Sequence, residues 1–234
     1  MHEGSILYGP VNALWHSVQH RFAWDIPDHV IMAALVLVIS LVLFPLATRR
    51  LSRDNPGGLQ HILELVVGGL KGLLHDIIGH HGDQFLYIIG AFAVFIFISN
   101  MFGLFFFLAP PTSNPNTTFA LSISAFLYYN WKGIRTQGLG HYLKHFAGPV
   151  WWLAPLMFPI ELIGNFARIL SLSMRLFGNI FGEHTATGIF MGLIPVIVPW
   201  PMMALGIFGA FLQTFVFIML TMVYISGATA AEEH

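Results

Sequence analysis

This 234-residue chain is 56% hydrophobic and only 9% charged. Soluble domains carry about 25% charged residues, so a water-facing globule is excluded and lipid must cover much of the surface. The net charge of −1 argues against nucleic acid as a partner, and the absence of cysteine removes disulfides, thiolate metal sites and Cys nucleophiles.

Residues 1–28 lack the basic start and apolar core of a secretory signal, and are expected to form a polar segment outside the bilayer. A first span is expected at 30–48, closed by Arg49, Arg50 and Arg53, with a turn at 54–58. Residues 59–79 differ in kind. Apolar residues recur at helical spacing but are interrupted by His61, Glu64, Lys71, His75 and Asp76, which predicts an amphipathic helix at the membrane surface. A nearly unbroken apolar run predicts a second span at 85–108. A Pro-rich loop follows, then a short third span at 117–131 and a loop over 132–149. The last third reads as two long helices, 152–191 and 202–226, with Pro195, Pro199 and Pro201 at the corner. The first of them exceeds an upright span, which implies a strong tilt. The fold class expected is all-α: about five membrane-embedded helices plus one interfacial helix, the last two forming a tilted hairpin.

Cations set the orientation. Arg49, Arg50, Arg53, Lys71, Lys132, Arg135 and Lys144 fall on one side and Arg21 on the other. The positive-inside rule then puts the N-terminus outside and the C-terminus in the cytoplasm.

The chemistry lies in 159–184, PIELIGNFARILSLSMRLFGNIFGEH. At about 100° per residue, Glu161, Asn165, Arg168, Arg175, Asn179 and Glu183 share one stripe roughly 80° wide, with His184 on the opposite side. The stripe runs about 33 Å, close to a bilayer thickness. An Arg at mid-bilayer costs about 2.5–3.5 kcal/mol on insertion scales. Glu161 could partly neutralise Arg168, but from seven residues away only through water or neighbouring side chains. Arg175 has no carboxylate within a turn, so its counter-ion has to come from another helix or another chain. The bland alternatives are snorkelling for Arg168 and helix-packing hydrogen bonds for Asn165 and Asn179. On the last helix Gly206, Gln213 and Tyr224 share a face within about 20°, and in a hairpin Gln213 can lie opposite Arg175.

These residues carry a resemblance. The run SMRLFGN at 173–179, preceded by Pro159-Ile160-Glu161-Leu162, resembles subunit a of F-type ATP synthases. So do Gln213 within LQTFVFIMLTMVYIS, the loop PPTSNPNTTFAL and the run Asn100-Met101-Phe102-Gly103-Leu104. The similarity extends from the first span to the C-terminus. It implies a membrane stator beside a rotating c-ring, with peripheral-stalk b subunits and the rest of the ATP synthase complex as further partners. The chain would then be no enzyme by itself, would need no cofactor, and would sit in a bacterial-type plasma membrane. Arg175 would face the ring carboxylate, reached by two offset aqueous half-channels. Asn179 and Gln213 match residues near that arginine, and Glu161 matches an acid on the cytoplasmic path. There is one departure: where some members have Glu on the fifth helix and His on the last, this chain has His184 and Gly206, with Glu183 as the adjacent acid. Protons are the expected ion, because no sodium-specific ligand set is visible.

Two rival classes remain. A secondary antiporter also buries ionisable residues, but it predicts an internal inverted repeat, and none is seen. A metalloenzyme is suggested by His75, His80 and His81, or by His141 and His145. There is no H-E-x-x-H motif, and two ligands do not make a site; no metal is expected.

Overall fold

A backbone in hydrocarbon must satisfy its hydrogen bonds internally, which favours long helices. The computed structural model describes residues 27–48, 57–79, 81–104, 110–138, 154–193 and 199–229. Within them lie six long helices: α1 (Asp28–Thr48), α2 (Gly58–Ile78), α3 (Leu86–Phe102), α4 (Pro115–Gln137), α5 (Ala154–Leu193) and α6 (Pro199–Thr229). Short 3-10 turns, Gly82–Phe85 and Pro111–Ser113, precede α3 and α4. No strand occurs among the described residues, so the chain is an all-α membrane protein. Three stretches, Gly82–Phe102, Pro155–Phe190 and Trp200–Thr229, are long and apolar enough to cross a bilayer; His29–Pro45 is a shorter apolar helix. Residues 1–26 of the expected N-terminal segment and most of the loop after α4 lie outside the described residues, as do Arg21, Arg49, Arg50, Arg53, Lys144, Pro195, His80, His141 and His145.

Three boundaries differ clearly from expectation. α3 ends at Phe102, short of the expected 108, where the Gly103 N–H closes on the Asn100 carbonyl. α4 does not stop at Trp131 but runs six residues further, through Lys132 and Arg135. These cations do not break the helix, because they fold onto aromatic rings. The Lys132 ammonium lies 5.4 Å from the Phe85 ring centroid, and the Arg135 guanidinium 5.5 Å from that of Trp131. The start of α4 is fixed by Asn114, whose side chain accepts from the Asn116 N–H at 2.9 Å, with Pro115 in the first turn. At the third boundary, α6 begins at Pro199, so Pro199 and Pro201 lie in its first turn rather than in the corner. A first turn tolerates proline because its N–H groups have no intrahelical partner.

The core is a seam of apolar side chains from five helices. Ile89, Phe92 and Ile96 of α3 pack with Phe217, Met222 and Ile225 of α6, Ala125 of α4, Leu172 and Leu176 of α5, and Leu74 of α2. Phe92 and Phe217 meet at 5.7 Å between ring centroids. One end of the bundle is stitched by polar bonds. Ser226 Oγ donates to the Ile77 carbonyl at 2.9 Å, and Gln137 Nε2 to the Ala228 carbonyl at 3.2 Å. The start of α3 and the ends of α2, α4 and α6 therefore meet at this level, together with Lys71, Lys132 and Arg135. At the opposite end Thr112 Oγ1 donates to the buried Asn100 Oδ1 at 2.9 Å, tying the loop before α4 to the end of α3. α3 thus runs against α6, and α4 runs with it.

Candidate functional site

α5 and α6 form an antiparallel hairpin, and the polar stripe of α5 meets α6 in three layers. Each layer pairs a stripe residue with one of the three α6 residues that share a face.

The first layer lies at the stitched end. Glu161 and Arg168 make a direct ion pair, Nη2 to Oε1 at 3.7 Å, both half-exposed. This corrects the expectation that they could interact only indirectly. Two helical turns separate their backbones by about 10.5 Å, and the long Arg stem with the Glu stem closes that gap. Arg168 Nη1 also reaches Asn165 Oδ1 at 3.4 Å, and its guanidinium lies 5.3 Å from the Tyr224 ring centroid. Asn165 is buried. It donates to the Glu161 carbonyl at 3.1 Å and accepts from Tyr129 Oη at 3.1 Å. Tyr129, on α4, is a member of the site that the sequence reading did not single out. Its signal was the spacing Thr118, Ser122, Ala125, Tyr129, all buried on one face of α4. Along that face the hydroxyls of Thr118 and Ser173 meet at 3.1 Å, joining α4 to α5 near Arg175.

The second layer is Asn179 Nδ2 donating to Gln213 Oε1 at 2.5 Å. Gln213 is buried and Asn179 faces outward. Gln213 therefore lies opposite Asn179, one turn beyond Arg175.

The third layer is Glu183 against Gly206. The carboxyl fills the space a side chain would need: a Cβ built on Gly206 would overlap Glu183 Oε1, and one on Gly209 would stand 3.4 Å from Oε2. The departure at Gly206 has a physical counterpart here, since the missing α6 side chain is replaced by a carboxyl from α5. His184, on the other side of α5, lies against Gly103 at the end of α3, its Nε2 2.9 Å from where a Cβ would stand.

Arg175 lies between the first and second layers, exposed on the outer face of α5. Among the described residues the only ion pair is Glu161–Arg168, and no carboxylate reaches Arg175. The composition of the helices explains why. α3 and α4 contain no Asp or Glu, and neither does α6; Glu161 and Glu183 are the only acids on α5. Both are already committed, one to Arg168 and one to the Gly206 notch. Large apolar side chains are exposed on both helices of the hairpin, among them Met174 beside Arg175 in the chain, and Phe208, Phe211, Leu212 and Phe215 on α6. Arg175 is thus a fixed cation with no carboxylate partner among the described residues, set between polar layers of the hairpin.

Comparison with known proteins gives a consistent picture. A family model described as "ATP synthase A chain" matches residues 30–226. The chain is 46% identical over 210 residues to "ATP synthase subunit a 2" of Syntrophotalea carbinolica, covering 90% of this chain and 87% of that one. It is 44% identical over 201 residues to "ATP synthase subunit a" of Geotalea uraniireducens, covering 86% and 87%. It is 46% identical over 199 residues to "ATP synthase subunit a" of Trichlorobacter lovleyi, covering 85% and 86%.

Proposed function

The chain belongs to the ATP synthase A chain family, and from that premise we propose that it is the proton-translocating stator subunit of a rotary ATP synthase. In this reading the exposed face of α5 and α6 abuts the c-ring, and Arg175 faces the buried carboxylate of each passing ring subunit. The observation that carries it is Arg175, exposed on α5 with no carboxylate partner among the described residues.

Lipid favours the protonated form of a ring carboxylate, because burying its charge is expensive. Arg175 favours the ionised form and stays charged itself, since a guanidinium does not titrate in proteins. The first polar layer, on one side of Arg175, and the second and third, on the other, then serve two proton routes. Glu161, Asn165, Arg168 and Tyr224 line the inner one; Asn179, Gln213, Glu183 and His184 line the outer one. A proton leaves by one route, the ring turns, and a proton is taken up from the other. Arg175 stands between them and blocks a direct leak. Each proton crossing 100 mV releases about 2.3 kcal/mol, available as torque on the ring. The stitched end of the bundle is cytoplasmic, α2 lies at that interface, the N-terminus is outside, and the peripheral-stalk b subunits hold the stator in place. The antiporter reading requires the chain to work alone, whereas a stator copurifies with its ring.

Contact with the ring is testable by cross-linking, and the chain has no native cysteine to confuse it. Met174→Cys, beside Arg175, is expected to form a disulfide with a cysteine placed next to the ring carboxylate. Failure to cross-link while Leu127→Cys, exposed on α4, does so would move the ring to another face. The outer route has its own test. Glu183→Gln and His184→Gln are each expected to shift the pH dependence of ATP-driven pumping. An unchanged profile in both variants would remove the pair from the path.

A further inference from the structure

A cavity of about 310 Å³ opens at the stitched end of the bundle, lined by Lys71, Gly72, His75, Gly79 and Asp83. None of these residues belongs to the polar stripe. The cavity is at the lower end of the size range of small-molecule sites, about 300–1,000 Å³. Its chemistry has two poles. Lys71 supplies a cation. Asp83 supplies an anion, reinforced by the carbonyl end of α2. That helix closes at Gly79, whose N–H caps the His75 carbonyl at 2.9 Å with φ at 86°. A simple anion would meet Asp83 there and a simple cation would meet Lys71. A molecule carrying a phosphate and an ammonium a few atoms apart satisfies both.

The level of the cavity in the fold says where such a molecule comes from. Asp83 sits in the turn that leads directly into α3, an apolar span. Tyr87, one turn further on, is 86% exposed, and Trp131, two turns before the end of α4, is 52% exposed. Amphipathic aromatics on an outer surface mark the headgroup level of a bilayer. Lys132 and Arg135 stand on rings at the same level. Gly72 leaves open space in the wall, with nothing within 4 Å of a Cβ built there.

We propose that this cavity binds the headgroup of a zwitterionic aminophospholipid, with the phosphate on Lys71 and the primary ammonium on Asp83. The charge pair selects against an anionic glycerol headgroup, which lacks the ammonium, and against choline, which has no N–H to donate to Asp83.

The test uses the purified ATP synthase complex in nanodiscs of phosphatidylcholine containing phosphatidylethanolamine or phosphatidylglycerol, with retained lipid identified by native mass spectrometry. Phosphatidylethanolamine is expected to be retained at least several-fold over the other two. Lys71→Gln and Asp83→Asn are each expected to remove that preference. Gly72→Leu is expected to fill the cavity and do the same while improving helix propensity; it decides the matter should a charge variant fail to assemble. Soluble glycerophosphoethanolamine is expected not to displace the lipid. Equal retention of all three lipids, a preference for phosphatidylglycerol, unchanged retention in Gly72→Leu, or displacement by the soluble compound would each overturn the proposal. None of these outcomes bears on Arg175.

Discussion

Replacing Arg175 by alanine is expected to lower ATP-driven proton pumping in membrane vesicles by more than about 100-fold, the scale set by losing one preorganised charge from a low-dielectric site. The subunit is expected to assemble normally. The side chain is exposed, and among the described residues it makes no ion pair, so its removal leaves the α5–α6 packing in place. Arg175→Lys is also expected to fail. An ammonium is a compact, strongly hydrated charge and does not reproduce the planar fork of a guanidinium. Measuring pumping beside copurification of the ring separates lost function from lost assembly. Normal pumping by Arg175→Ala in assembled complexes would end the stator reading.

The second large effect concerns the Gly206 notch. Gly206→Glu alone places a second carboxyl where that of Glu183 already lies, adding steric overlap and like-charge repulsion. Glu183→Gly alone leaves the notch without an acid. Each single variant is expected to pump at under about a tenth of the normal rate. The double variant moves the carboxyl from α5 to α6 at the same level, so pumping is expected to recover several-fold over either single change. Contacting residues are where additivity fails. A double variant no better than the worse single one would show that the position of the carboxyl, and not merely its presence, is fixed.

Much of this arrangement was legible in the sequence, because a helix converts spacing into direction. The stripe from Glu161 to Glu183 and the α6 face of Gly206, Gln213 and Tyr224 both followed from about 100° per residue. The hairpin then brings the two sets together pair by pair: Glu183 with Gly206, Asn179 with Gln213, and Arg168 with Tyr224. What periodicity could not supply was anything depending on side-chain reach or on a third helix. Spacing pairs Glu161 with Arg168 only indirectly, and the direct contact is not legible because backbone separation says little about two long stems. Tyr129 was missed because a tyrosine in an apolar run is unremarkable until α4 is known to lie against Asn165. The end of α4 was set short because Lys132 and Arg135 look like the start of a loop, and only the rings beneath them show otherwise.

The bare guanidinium also bears on copies of this chain that never find a partner. Such an orphan holds an uncompensated charge against hydrocarbon, at about 2.5–3.5 kcal/mol on insertion scales, a large fraction of what keeps a typical protein folded. Docking removes that burden, so survival in the membrane is linked by mass action to the supply of whatever carries the matching anion. Surplus chains would be the first to unravel and be cleared, and the same side chain would keep subunit numbers in step.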